Sequence, residues 1–208
     1  MNNDVMYGIV ARQRLNSLIK EIFRKSIHIC SSLVPFLLGI MYKPVIALLL
    51  AALIFYSFSE IMRLNNHPIP LISKITELAA RKRDENRFVL GPVTLVIGIL
   101  IAALLLPLHC ATVGIFALAF GDGTASLVGK LIGRVAIPGA HGKTVAGSLA
   151  CFLAVYISTF CVSRSCLISL ICAFFAMMIE ALPLADFDNV IIPIAIGEIF
   201  SILLGFSL

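Results

Sequence analysis

Between residues 45 and 59 the chain carries no charge, and apolar runs of similar length recur along it with cation-rich segments between them. A spanning helix takes about 20 apolar residues. Its backbone groups must be satisfied inside the helix, because lipid offers them no partner. The pattern therefore restricts the chain to an all-α, polytopic bundle of membrane helices. Composition agrees, since 60% of the 208 residues are hydrophobic and 13% charged, whereas soluble domains sit near 45–50% and about 25%.

The predicted spans cover 27–41, 45–61, 88–106, 110–132, 145–162 and 167–181, with a seventh closing near 208, in one integral membrane domain over 1–208. Residues 1–26 read as a basic amphipathic helix on the membrane surface or capping the bundle. No small-residue cleavage site marks them as a removable signal. Lys and Arg concentrate in this arm, in 63–87 and in 130–143, while the alternate connections hold only Lys43, His109 and Arg164. The positive-inside rule then places the N-terminus, and most polar groups of chemical interest, on the cytoplasmic side of an inner membrane. The +5 charge is not arranged as a basic face interleaved with aromatics, so no nucleic-acid partner is expected. The six cysteines lack a Cys-x-x-Cys pair and read as small buried hydrophobes.

Against this background the stretch from Gly121-Asp122-Gly123 through Thr124, Ser126 and Lys130 stands out. A carboxylate at membrane depth is a functional-site hypothesis. The flanking glycines suggest a broken or closely approached helix, and a carboxylate beside hydroxyls suits Mg²⁺. The alternative is a polar contact between helices, with Gly129-x-x-x-Gly133 as a packing face. Gly142-Lys143-Thr144 is not a Walker motif, because Ile137 stands where the first glycine belongs. A glycine-rich loop ahead of a helix start can still hold an anion. Glu180, Asp186, Asp188 and Asn189 gather at one membrane boundary and suggest metal or ribose contacts, or else the capping of the last helix. Arg24, Lys25 and His28 offer cations to a polyphosphate. Glu60 and Arg63 pair on one helix face, or else Arg63 joins those cations, and Glu85 and Arg87 adjoin the third span.

Taken in order, Phe-Gly-Asp-Gly-Thr-Ala-Ser-Leu-Val-Gly (120–129), Gly-Lys-Thr-Val-Ala-Gly-Ser (142–148) and Glu-Ala-Leu-Pro followed by Asp-x-Asp-Asn and Ile-Pro (180–193) resemble the dolichol kinase, phytol kinase and CTP-dependent diacylglycerol kinase family. Arg24-Lys25-x-x-His28 and Glu85-Asn-Arg87-Phe88 are similar to that family's pattern as well. The resemblance implies transfer of the γ-phosphoryl of CTP, with magnesium, to a membrane-embedded lipid alcohol. Asp122 would organise metal or phosphate or act as base, and Lys143 and Thr144 would hold phosphates. Asp186, Asp188 and Asn189 would complete the nucleotide and magnesium site. An oligomer is compatible with it. Pro138-Gly-Ala-His-Gly142 is similar to the loop of phosphatidate cytidylyltransferases, but the Asp-Arg-x-x-Asp element that follows there is missing. A non-catalytic lipid transporter or scaffold would need polar groups reachable from both sides near the midplane, and the outer half of each predicted span is apolar.

Overall fold

The computed structural model describes residues 3–80, 84, 87–140 and 142–205, with side chains from residue 12 onward apart from 13 and 14. Among these residues the chain is all-helical, with one isolated bridge, Ala136 to Thr144. The elements are α1 (Asn3–Cys30), a 3₁₀ turn (Ser31–Leu33), α2 (Val34–Ile40), α3 (Tyr42–Leu64), α4 (Pro70–Ala79), α5 (Gly91–Leu105), α6 (Leu108–Phe116), a π-helical turn (Ala117–Asp122), α7 (Gly123–Ile132), α8 (Val145–Ser163), α9 (Cys166–Ala181) and α10 (Asp188–Leu203). Three helices are long and apolar enough to cross a membrane: α3, the continuous rod Leu108–Ile132, and α8. Helices α5 and α9 are apolar but shorter.

The rod Leu108–Ile132 is the core of the bundle, 67% buried over its most apolar window against 11% for α3. It is surrounded by α1, α8, α9 and α10. Its fully covered positions mix small residues, Cys110, Ala111, Ala117 and Ala119, with Val113, Ile115 and Leu118, the small ones admitting the close helix contact that packing in a membrane favours. The expected break at Gly-Asp-Gly is not there. The helix passes through this point as a π turn, a device that re-aims side chains without ending the rod and recurs at functional sites. The glycines serve packing: a Cβ on Gly121 would stand 2.7 Å from Val155 Cγ2 of α8, and one on Gly123 would stand 3.2 Å from Ile29 Cγ1 of α1.

Helix α10 packs against α5, α6 and α9. Pro193 lies inside it and offers no N–H to the carbonyl of Asn189 four residues earlier. That carbonyl lies against Gly98 of α5, and the Pro193 carbonyl lies against Gly114 of α6. The two glycines leave the room that those backbone oxygens occupy.

The cysteine expectation needs correction in part. Cys110, Cys151 and Cys172 are buried, but Cys30, Cys161 and Cys166 are exposed, and all six are free thiols. On outward faces of apolar helices, a thiol behaves as any small hydrophobe would against lipid.

Candidate active site

Helix α1 is built inside out. Glu21, Lys25 and His28 recur at i, i+4 and i+7 and are buried, while Leu15, Ile19 and Ile22 follow the same spacing on the exposed side. The sequence alone suggests charges turned to water. They turn inward because the rod carries Asp122, and α7 carries Lys130. Lys25 Nζ donates to Asp122 Oδ2, and His28 Nδ1 lies 3.2 Å from the same oxygen. Lys25 is 1% exposed and Asp122 4%, so each charge depends on its partner far more than on water. Separating such a pair costs more than its formation contributes.

One turn away, Glu21 accepts from both Arg24 and Lys130, tying α1 to α7. Burial pushes the Glu21 carboxyl up, but Arg24, Lys25 and Lys130 outweigh it and hold the group below its ordinary value. A carboxyl with a lowered folded pKa stabilises above its unfolded pKa, and that stability fades as pH falls through the folded value. The thermal stability gap between the native protein and Glu21→Gln is accordingly expected to close on acidification. A gap constant from neutral pH down to pH ~3, below the ordinary glutamate pKa of about 4.3, would mean the tie contributes nothing electrostatic.

Asp122 opens on a narrow cleft lined also by Arg24, His28, Asp84, Asp186 and Asn189. Its other wall is apolar: Ile27, Ala79, Val89, Pro92 and Leu95. Five residues singled out from sequence in three separate regions thus share one space. Asn189 reaches it with its amide nitrogen already committed to Thr94 Oγ1 at 2.9 Å and to Gly91 O at 3.3 Å. Asp188 is also buried, and its Oδ1 accepts from the Asn189 backbone N–H at 2.9 Å. Sequence reading passed over Asp84, Thr94 and the apolar wall. Asp84 was visible only as one member of a charged run.

The remaining candidates lie around the cleft. Lys143 Nζ donates to the Glu180 carbonyl and stands 3.3 Å from Glu180 Oε1, while Ser148 donates to Glu180 Oε2 at 3.3 Å. This pair is separated from Asp122 by Cys151, which is within electrostatic reach of both. Gly142 turns a small hairpin at φ +87°, closed by Ile137 N–H to Lys143 O at 2.9 Å and Val145 N–H to Val135 O at 3.0 Å. Thr144 caps α8 by accepting from Gly147 N–H at 3.2 Å, so the expected helix start is present. Its hydroxyl packs against Gly129 and Gly133, the small-residue face of α7. Several loop amides offered to an anion on sequence grounds are therefore engaged within the chain. Thr124 Oγ1 bonds back to Phe120 O at 2.7 Å, and Ser126 is half-buried on α7.

Glu60 and Arg63 pair on one face. Arg63 Nε and Nη2 donate to Glu60 Oε2 and Oε1 at 2.9 and 2.7 Å. Together with Tyr56 they grip one short segment: Glu60 accepts from Val89 N–H, Arg63 donates to Arg87 O, and Tyr56 donates to Val89 O. That segment leads directly into the cleft wall. Glu85 lies outside the described residues.

The carboxylates Asp122, Asp186, Asp188 and Glu180 do not form a resident metal cage. Asp122 faces Lys25 and His28, Glu180 faces Lys143, and no group of three or more His, Cys, Asp or Glu among the described residues could hold a metal ion. What the geometry offers is a half-polar, half-apolar cleft whose polar side carries Arg24, His28, Asn189 and the carboxylates Asp84, Asp122 and Asp186. No family model matches the chain, and comparison with curated proteins and with solved structures finds no significant match.

Proposed function

We propose that this chain is an integral membrane enzyme of about seven spans, its N-terminus and cleft on the cytoplasmic side of an inner membrane. On this reading it transfers the γ-phosphoryl of CTP to the hydroxyl of a lipid alcohol of polyprenol, phytol-like or diacylglycerol type. The observation that carries this reading is the two-sided cleft. On its polar side stand Arg24, His28 and the carboxylates Asp84, Asp122 and Asp186, facing Ile27, Ala79, Val89, Pro92 and Leu95, which suits a reaction between a magnesium-bound triphosphate and an apolar alcohol. Magnesium enters as part of the substrate, the magnesium–triphosphate complex, because this ion commonly binds through substrate phosphates and one or two carboxylates.

Phosphoryl transfer needs positioning and charge neutralisation more than covalent help. Arg24 faces the phosphates, and Lys143 supplies a second cation from the neighbouring pair. Lys25 and His28 fix the Asp122 carboxylate, which accepts the proton of the lipid hydroxyl as its oxygen bonds to the γ-phosphorus. The bond from that phosphorus to the β–γ bridging oxygen breaks, and CDP leaves.

Purified protein in lipid vesicles, given CTP labelled at the γ or the α phosphate and a panel of lipid alcohols, tests this. Label from the γ position is expected in the lipid. Incorporation of the α phosphate with release of pyrophosphate would instead identify a cytidylyltransferase, and no incorporation from either would remove the enzymatic reading.

A further inference from the structure

Helix α4 (Pro70–Ala79) has three faces rather than two. Ser73, Thr76 and Ala79 are buried against the bundle, where α4 meets α1 and α3. Leu71, Ile75 and Leu78, at i, i+4 and i+7, are exposed, Leu71 by 72%. Lys74 and Glu77 occupy the remaining arc and are exposed as well. A helix at a protein–water boundary needs only an inward apolar face and an outward polar one. An outward apolar stripe separated from an outward charged arc calls for two solvents, one oily and one aqueous.

The chain connections say which oily solvent is at hand. Helix α4 joins the end of α3, which is long and apolar enough to cross a membrane, to the start of the apolar α5. It therefore sits at the boundary those helices share. Helix α1 beside it shows the same outward stripe of Leu15, Ile19 and Ile22, which continues through Leu33, Phe36, Leu37 and Ile40 of the following turns.

We infer that α4 is an interfacial helix, lying in the head-group layer with Leu71, Ile75 and Leu78 among the acyl chains, and that the lipid acceptor reaches the cleft along its C-terminal end. Leu78 belongs to the lipid face, while Ala79, the next residue, lines the cleft beside Arg24 and Asp84. One peptide bond separates the bilayer from the chamber that holds Asp122. The second half of this inference rests on the lipid-kinase reading, and the first half does not.

The test uses the full chain with the exposed Cys30, Cys161 and Cys166 changed to Ser. Single substitutions Leu71→Cys, Ile75→Cys, Leu78→Cys, Lys74→Cys and Glu77→Cys carry a fluorophore in phosphatidylcholine–phosphatidylglycerol vesicles. Quenching by lipid brominated on the acyl chain is expected to dominate at 71, 75 and 78, and quenching by aqueous iodide at 74 and 77. Five sites quenched alike by iodide would overturn the interfacial placement. For the route, Leu78→Glu is expected to raise KM for the lipid alcohol about tenfold or more, a charge on a lipid face being costly, with KM for CTP unchanged. The control Leu78→Met is expected to leave both unchanged. Equal change in both constants, or in neither, for the glutamate variant would overturn the route. A native protein without transferase activity would sink the kinase reading, while the quenching pattern would still decide where α4 lies.

Discussion

Asp122→Asn is expected to abolish phosphoryl transfer and at the same time to destabilise the fold. Lys25 is 1% exposed and donates to Asp122, so the amide leaves a buried ammonium with no opposite charge, a loss of about 3–5 kcal/mol. Loss of transfer alone would not show that Asp122 is chemical. Adding Lys25→Met separates the two effects, because replacing a buried pair by neutral groups is often near neutral in stability. The double variant is expected to regain most of the thermal stability in detergent and none of the transfer, the missing base alone being worth roughly 10²–10⁴-fold. Transfer within a few-fold of native in the single variant would remove Asp122 from the mechanism. A double variant as unstable as the single one would mean that the pair is not what stabilises this part of the bundle.

That prediction depends on a contact the sequence shows only in halves. Asp122 is conspicuous because a carboxylate inside an apolar run is rare, and Lys25 and His28 share a helix face by their spacing. Nothing in the sequence joins residues 97 positions apart. A basic amphipathic segment is ordinarily turned with its charges to water, and only the presence of Asp122 and Lys130 across the interface reverses the choice here. Helix as the element type was legible, since hydropathy registers the solvent of each run, but the boundary expected between 26 and 27 is not one: α1 runs on to Cys30, and a 3₁₀ turn and the seven-residue α2 follow where a span over 27–41 was expected. Thr144 as a helix cap was legible too, because capping is local. The π turn was not: glycines beside a charge look the same in sequence whether they break a helix or admit a neighbouring one. The acidic residues 180–189 form a cluster along the chain, but in space Glu180 faces Lys143 while Asp186 and Asn189 reach the cleft. Proximity in sequence near a helix end says little about which side of that end each side chain serves.

Gly98→Ala is expected to be among the most damaging single-methyl changes in the protein. By intrinsic propensity it should help, because alanine is favoured over glycine in a helix interior by about 1 kcal/mol. The surroundings reverse the sign. A Cβ at this position would overlap the Asn189 carbonyl oxygen and stand 3.0 Å from Val190 Cα, and these are backbone atoms that no rotamer change can move. The Asn189 carbonyl, which Pro193 leaves without its usual helical donor, lies directly against α5 here. Relief requires α5 and α10 to separate, which stretches the 2.9 Å bond from Asn189 Nδ2 to Thr94 Oγ1 and shifts Asn189 in the cleft wall. Overpacking typically costs about 1–3 kcal/mol and occasionally more, and a backbone clash belongs at the upper end. The unfolding midpoint in detergent should fall accordingly and transfer should fall with it. Gly91→Ala in the first turn of the same helix meets nothing within 4 Å and should stay within about 0.5 kcal/mol of native. If Gly98→Ala unfolds at or above the native midpoint, propensity has won, and the α5–α10 contact that sets one wall of the cleft is looser than a backbone-to-backbone seat.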